Sequence, residues 1–298
     1  MSKGRISPPE EWTAQAIIDL INDGHLPPWT KSWSTKSNDL PRNLQRPDKP
    51  YNGLNYMLLI MVANIFDSPF FITPKQLYDM GGKKKDGERT WPVFFYKPIK
   101  KKDDNGEEIV IWLCKGYKVY NVNQTTGIED KIPKLAEGET YEHDPIEVCE
   151  KIVNGYKDIP KIISGPQPLY NPVKDNVKIP AASKFKTREN YYATLFHELA
   201  HSTGHSSRLA RDSMKKIANF GDHAYSEEEL VAEFTSAMLC GKAEIEKVVI
   251  ENQAAYIKHW SNKLEPKMIV YATRSAKKAF SYIVESEAEE ESEEEDAV

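Results

Sequence analysis

The chain holds only three cysteines, Cys114, Cys149 and Cys240, and no two of them form a Cys-x-x-Cys pair. That excludes a disulfide framework and a cysteine-built metal site, and it fits a reducing compartment. Long apolar runs are missing as well. The longest, from Leu54 to Phe66, is too short to span a bilayer and is interrupted by Asn55 and Asn64. No charged-then-apolar leader opens the sequence. The expectation is a cytoplasmic protein with no membrane partner. A strong charge of either sign is also absent from the body. Residues 1–132 carry 19 basic against 16 acidic side chains, and residues 133–284 carry 21 against 20. The net charge of −5 comes from the last fourteen residues, 285–298, which hold nine acids and no base. Such a run reads as a solvated, disordered tail.

What remains is an ordinary globular composition, 40% hydrophobic and 29% charged over 298 residues, enough for two domains with separate cores. The most informative stretch lies two-thirds of the way along. His197-Glu198-x-x-His201 puts two imidazoles four residues apart, on one face of a helix. Two nitrogens at that spacing can share one Zn²⁺, and Glu198 between them then lies beside a metal-bound water as general base. Tyr191, Tyr192, Leu195, Phe196 and Leu199 surround the motif with apolar surface, so the helix is expected to be buried. Thr187 or Asn190 can cap its start, and Gly204 is a natural stop.

Catalytic zinc takes three protein ligands and keeps one position open. A third histidine at the metzincin spacing is excluded, because position 207 is Ser207. His205 follows a helix-breaking Gly204 and is read as a bystander. Glu229 and Glu233, four apart downstream, share a helix face. One can bind the metal while the other fixes an imidazole tautomer. The Glu-x-x-Ala pattern there resembles the ligand helix of small gluzincin-like peptidases. That resemblance implies Glu229 as ligand and Glu233 as its hydrogen-bonding neighbour, with the reverse assignment open. Glu227 and Glu228 are read as solvated. The ligand set also accepts Mn²⁺, Co²⁺ or Ni²⁺.

The first 132 residues read as a small α+β domain. Expected are a helix over 12–23, a proline-stiffened loop carrying Trp29 and Trp33, an apolar helix over 56–66, and a short helix capped by Thr73. A flexible basic loop with Lys83, Lys84 and Lys85 follows, then a hairpin of strands 91–99 and 109–122. Cationic loops interleaved with aromatics suit single-stranded DNA, because cations track phosphates and flat rings stack on bases. Residues 133–284 read as a second domain, with a helix over 146–153, a short strand at 162–163 and an edge strand over 170–180. The motif helix follows, then a helix over 227–239 and helices over 251–261 and 266–285.

Several stretches together sharpen the reading of the first domain. Pro41-Arg42-Asn43, Tyr51-Asn52-Gly53-Leu54-Asn55, Ile72-Thr73-Pro74-Lys75-Gln76, Gly81-Gly82-Lys83 and the run from Val119 to Gly127 occur in the order of the N-terminal domain of ArdC-type antirestriction proteins, and the chain resembles that family. The resemblance implies a single-stranded-DNA-binding domain, 1–132, ahead of a gluzincin-like metallopeptidase domain, 133–284. The acidic tail, 285–298, is not part of the family pattern. It further implies a plasmid- or phage-borne protein acting in the cytoplasm of a bacterial host, protecting incoming DNA. Arg42, Asn43, Tyr51 and Asn52 become candidate DNA contacts with Trp29, Trp33 and Lys83–Lys85. Two alternatives stand beside it: a DNA-binding shield whose metal site is structural or vestigial, and a peptidase that cleaves one host protein.

Overall fold

Pro8 opens the first helix, α1 (Pro8–Asn22), where the missing N–H of proline costs nothing. The computed structural model describes residues 7–30, 40–102, 108–133, 145–215, 223–245, 260 and 263–284. Contacts divide them into two units, one of residues 7–19 and 41–133, the other of residues 20–30, 40 and 145–284. Both mix helix and sheet, so the chain is a two-domain α+β protein.

In the first unit, strands β1 (Arg42–Asn43) and β2 (Arg46–Pro50) lead into α2 (Gly53–Phe66). Nine residues of α2 are buried, and the helix is apolar on nearly every side. Its one polar core residue has a task. Asn55 Oδ1 accepts from Phe94 N at 3.0 Å and Asn55 Nδ2 donates to Phe94 O, which clamps the helix to a strand backbone. Then come β3 (Phe70–Ile72), α3 (Pro74–Asp79), β4 (Lys83–Lys84), the long hairpin β5 (Trp91–Lys102) and β6 (Glu108–Asn121), and β7 (Thr125–Thr126). The main sheet has the order β2-β1-β3-β6-β5, with only the β1–β3 pair parallel. The hairpin lies where the sequence pattern puts it, with β5 three residues longer and β6 shifted by one. Thr73 and Gln76 form a reciprocal capping box at α3.

One expectation here is overturned. The stretch from Gly81 to Lys85 is not a flexible loop: β4 pairs with β7, Lys83 opposite Thr126 and Lys84 opposite Thr125. Gly82 makes this possible, since a Cβ there would sit 2.5 Å from Leu77 and 2.7 Å from Ile128. The glycine serves close packing rather than mobility.

The second unit builds a three-stranded sheet and a helical layer around the motif. After α4 (Pro145–Gly155) come β8 (Lys161–Ser164), β9 (Leu169–Asn171) and β10 (Asn176–Ile179), in the spatial order β8-β10-β9. The expected single edge strand over 170–180 is two strands. Asp175, at φ +44°, turns the chain between them, so β9 is an edge strand while β10 is central. The helices α5 (Arg188–Ser202), α6 (Asp212–Lys215), α7 (His223–Lys242) and α8 (Pro266–Val284) complete the unit. Its core joins Phe196 and Leu199 of α5 to Leu239 and Cys240 of α7, Ile283 of α8 and Val177 of β10. The acidic tail and the helix expected over 251–261 lie outside the described residues, apart from Trp260.

Candidate metal centre

Thr187 starts the motif helix: its side chain accepts from Asn190 N at 3.2 Å, the N-cap arrangement that α5 needs for its first free N–H groups. Phe196, Leu199 and Ala200 are fully buried, which fixes the rotation of the helix and turns His197 and His201 toward α7. Small residues let the two helices approach, and Ser236 Oγ on α7 donates to Ala193 O on α5 at 3.1 Å. Glu229 thereby arrives opposite both imidazoles.

Three edges describe the resulting triangle. His197 Nε2 lies 3.2 Å from His201 Nε2 and 3.5 Å from Glu229 Oε2, and His201 Nε2 lies 3.4 Å from Glu229 Oε1. Atoms bound about 2.0–2.1 Å from a tetrahedral ion are about 3.3–3.4 Å apart, so a divalent cation fits the donor set without rearrangement. Charge points the same way. Burial disfavours a proton on His201, but the Glu228 and Glu229 carboxylates outweigh it and push its pKa up to about 10. Burial likewise opposes the Glu229 charge, yet the two imidazoles hold its carboxyl well below the usual range. Two carboxylates packed against the imidazoles give the site the negative charge that favours a cation.

Glu198 is itself buried, and the N–H of Tyr170 in β9 donates to its Oε2 at 2.6 Å. The sheet edge thus holds one carboxylate oxygen, which aims the other. Sequence reasoning missed this contact, because a backbone amide leaves no signature in side-chain pattern.

The residue seated on the far nitrogen of His201 is Glu228, with Oε1 3.4 Å from Nδ1. It occupies the place that the sequence pattern gives to Glu233. Glu228 is fully buried and Glu227 nearly so, which overturns their reading as solvated acids. Neighbouring positions on a helix differ by about 100° in direction, so Glu228 and Glu229 straddle one ring. Burial penalises the Glu228 carboxylate, but the Arg211 guanidinium and His201 hold its pKa down to about 2. Arg211 Nε donates to Glu228 Oε2 at 3.0 Å and Ser213 Oγ donates to the same oxygen at 2.6 Å. Arg211 also donates to Thr203 Oγ1 at 2.6 Å and Ala200 O at 2.9 Å, closing the end of α5. Gly204 leaves room for it, since a Cβ there would meet Arg211 Nη2 at 2.8 Å. His205, read as a bystander, turns to Ser207 Oγ at 2.7 Å.

Two family models match the chain. One, described as the N-terminal domain of anti-restriction factor ArdC, covers residues 10–138, and a zincin-like metallopeptidase model covers residues 149–275. The crystal structure of the antirestriction ArdC protein from plasmid R388 is similar over nearly the whole length. In its metal-free form it is 28% identical with a TM-score of 0.62, and 93% of this chain and 97% of that one are covered. The chain joins an ArdC N-terminal domain to a zincin-like metallopeptidase domain.

The Mn(II)-bound form of the R388 protein is similar to the same degree, 26% identical with a TM-score of 0.64 over 94% of this chain and 98% of that one. A DNA primase TraC of Escherichia coli is 28% identical over 294 residues, which is 93% of this chain but only 20% of the primase. A second TraC relative is likewise matched over 27% of its length, so the chain spans about a quarter or less of these relatives.

Within the N-terminal domain several motif residues make internal contacts. Arg42 is buried, and its Nη1 donates to Pro47 O at 3.1 Å. Asn43 exchanges hydrogen bonds with the Gln76 amide at 3.0 and 3.1 Å. Tyr51 packs edge-on against Phe71, ring centroids 6.3 Å apart. Asn121 and Gln124, both fully buried, tie β6 to Ser68 O and to the Trp91 indole. These residues hold the domain together. Asn52, Lys83, Lys84 and Lys85 are exposed, Lys85 with its Nζ on Asn123 O at 2.7 Å. Trp33 and the side chain of Trp29 lie outside the described residues.

Proposed function

We propose that this ArdC-type chain binds single-stranded DNA through its N-terminal domain and hydrolyses peptide bonds at a divalent metal held by His197, His201 and Glu229. The observation that carries the peptidase reading is the triangle of 3.2, 3.4 and 3.5 Å edges with Glu198 adjacent on the same helix. Zinc is the ion that such a nitrogen-and-oxygen set takes most readily, with Mn²⁺ an alternative in keeping with the Mn(II)-bound R388 structure. When bound, the ion supplies Lewis acidity, polarising a substrate carbonyl and acidifying water. Glu198 does the proton work. With Oε2 on the Tyr170 amide, Oε1 takes the proton of the attacking water and later delivers it to the leaving amine. Strand β9 has β10 on one side only, so its outer edge suits an extended peptide.

The DNA reading rests on the match to the ArdC N-terminal domain and on the mild basic excess of residues 1–132. Together the two activities suit an antirestriction role in the bacterial cytoplasm, in which DNA brings the peptidase to a host protein. The deciding experiment uses Glu198→Gln. Purified full-length protein with Zn²⁺ or Mn²⁺ is incubated with labelled casein, with and without a single-stranded oligonucleotide. The wild type should cleave and the variant should be slower by about 100-fold or more, with metal and DNA binding intact. No cleavage by the metal-loaded wild type, with DNA present, would sink the peptidase reading.

A further inference from the structure

The hairpin of β5 and β6 has more apolar surface than a soluble ribbon needs. Only its base is buried, where Trp91 and Val93 face Val119 in the core. Strand β3 reaches β6 only at Asn121 and Tyr120, and beyond that the two strands pair with each other alone, out to Lys102 opposite Glu108. Along this stretch, about 24 Å from Phe95 to Lys102 at the usual rise per residue, consecutive large side chains stand in solvent. On the face that carries Phe95, Phe95 is 47% exposed, Leu113 49% and Ile111 43%. Contiguous apolar exposure on a soluble protein marks a surface with a use.

The cations are interleaved with it. Strand register puts Lys115 beside Phe95, Lys97 beside Leu113 and Lys101 beside Ile109, all on one face. On that face the Phe95 and Tyr117 rings are stacked, centroids 4.6 Å apart and planes at 13°, with Lys115 Nζ 5.4 Å from the Tyr117 centroid. Lysines on a strand edge also discourage edge-to-edge aggregation. That accounts for the charge but not for the aromatic stack between the charges.

We propose that the Phe95–Tyr117–Lys115 face of the β5–β6 ribbon, with Lys97 and Lys101, is where single-stranded DNA lies, bases on the ring stack and phosphates on the lysines. The inference rests on the DNA-binding reading above and moves the contact surface to the ribbon, away from motif residues such as Arg42 and Asn43 that make internal hydrogen bonds. A positively charged track with flat rings between the charges is the chemistry of sequence-tolerant single-strand binding.

The test is fluorescence anisotropy of a labelled oligonucleotide with full-length protein across a salt series. One variant combines Lys97→Ala, Lys101→Ala and Lys115→Ala, a second is Phe95→Ala, and a control combines Lys83→Ala, Lys84→Ala and Lys85→Ala. All of these side chains are exposed, so melting temperatures should match the wild type. The triple ribbon variant should bind about 100-fold more weakly, with the slope of log affinity against log salt reduced by about 2. Phe95→Ala should lose roughly 10-fold. Unchanged binding by both ribbon variants, beside a weakened control, would overturn the ribbon assignment and leave the DNA reading standing. No binding by the wild type would remove both. Duplex preferred over single strands, or sedimentation showing a dimer that the ribbon variants dissociate without change in DNA affinity, would also overturn it.

Discussion

His201 carries a carboxylate at each ring nitrogen, and the two do different work. Glu229 faces Nε2, where a cation fits, while Glu228 faces Nδ1 and orients the ring. Glu228 can remain charged in a fully buried place only because Arg211, Ser213 and His201 surround it. Removing one partner of such a pair leaves an uncompensated buried charge. Arg211→Met should therefore cost about 3–5 kcal/mol of stability, read as a fall in the urea midpoint. Glu228→Gln keeps the shape and should weaken metal binding by about 10–100-fold, measured by competition with a chromogenic chelator. Of this centre the sequence declares His197, Glu198 and His201, because a helix converts their spacing directly into shared direction. It hides Glu228 and Arg211. Which of four glutamates on α7 turns inward depends on how α7 crosses α5, and the partner of Arg211 is 17 positions away.

At the scale of elements, the β9–β10 turn depends on an ion pair. Arg208 holds Asp175 at 2.8 and 2.9 Å, and Tyr170 Oη donates to Asp175 Oδ1 at 2.8 Å. Burial alone would raise the Asp175 pKa, but the hydrogen bonds from Arg208 and Tyr170 outweigh it and bring it below 3.8. A carboxyl depressed on folding contributes stability that is complete above its unfolded value, about 3.8, and is lost as pH falls through the folded value. Asp175→Asn tolerates the left-handed backbone. Its deficit against the wild type in urea denaturation should be largest at neutral pH and shrink below about pH 4. On α2, Asn55→Leu strands the N–H and C=O of Phe94 and should cost roughly 1–3 kcal/mol. The sequence shows Asn55 as an interruption of an apolar run. Its purpose becomes visible only with β5 beside it. The β4–β7 pair is hidden for a related reason: the partners are some forty residues apart, and Gly-Gly reads locally as a loop.

For the whole molecule, cation binding should raise stability by mass action, about 4 kcal/mol at a thousand times the dissociation constant. Calorimetry with and without EDTA reads this as a shift in the melting transition. No described helix is long and apolar enough to cross a membrane. The two-domain α+β organisation was legible because motif order runs through most of the chain. The roles of those motif residues in the first domain were not, since order does not reveal which polar side chains face inward. His197, His201 and Glu229 are expected to form one divalent metal site. Isothermal titration of Zn²⁺ and Mn²⁺ into wild type, Glu229→Ala and Glu233→Ala tests it most directly. One site per chain is expected, lost or weakened by about 100-fold or more in Glu229→Ala and nearly unchanged in Glu233→Ala. A wild type that binds neither ion, or a site that survives Glu229→Ala and disappears in Glu233→Ala, would contradict it.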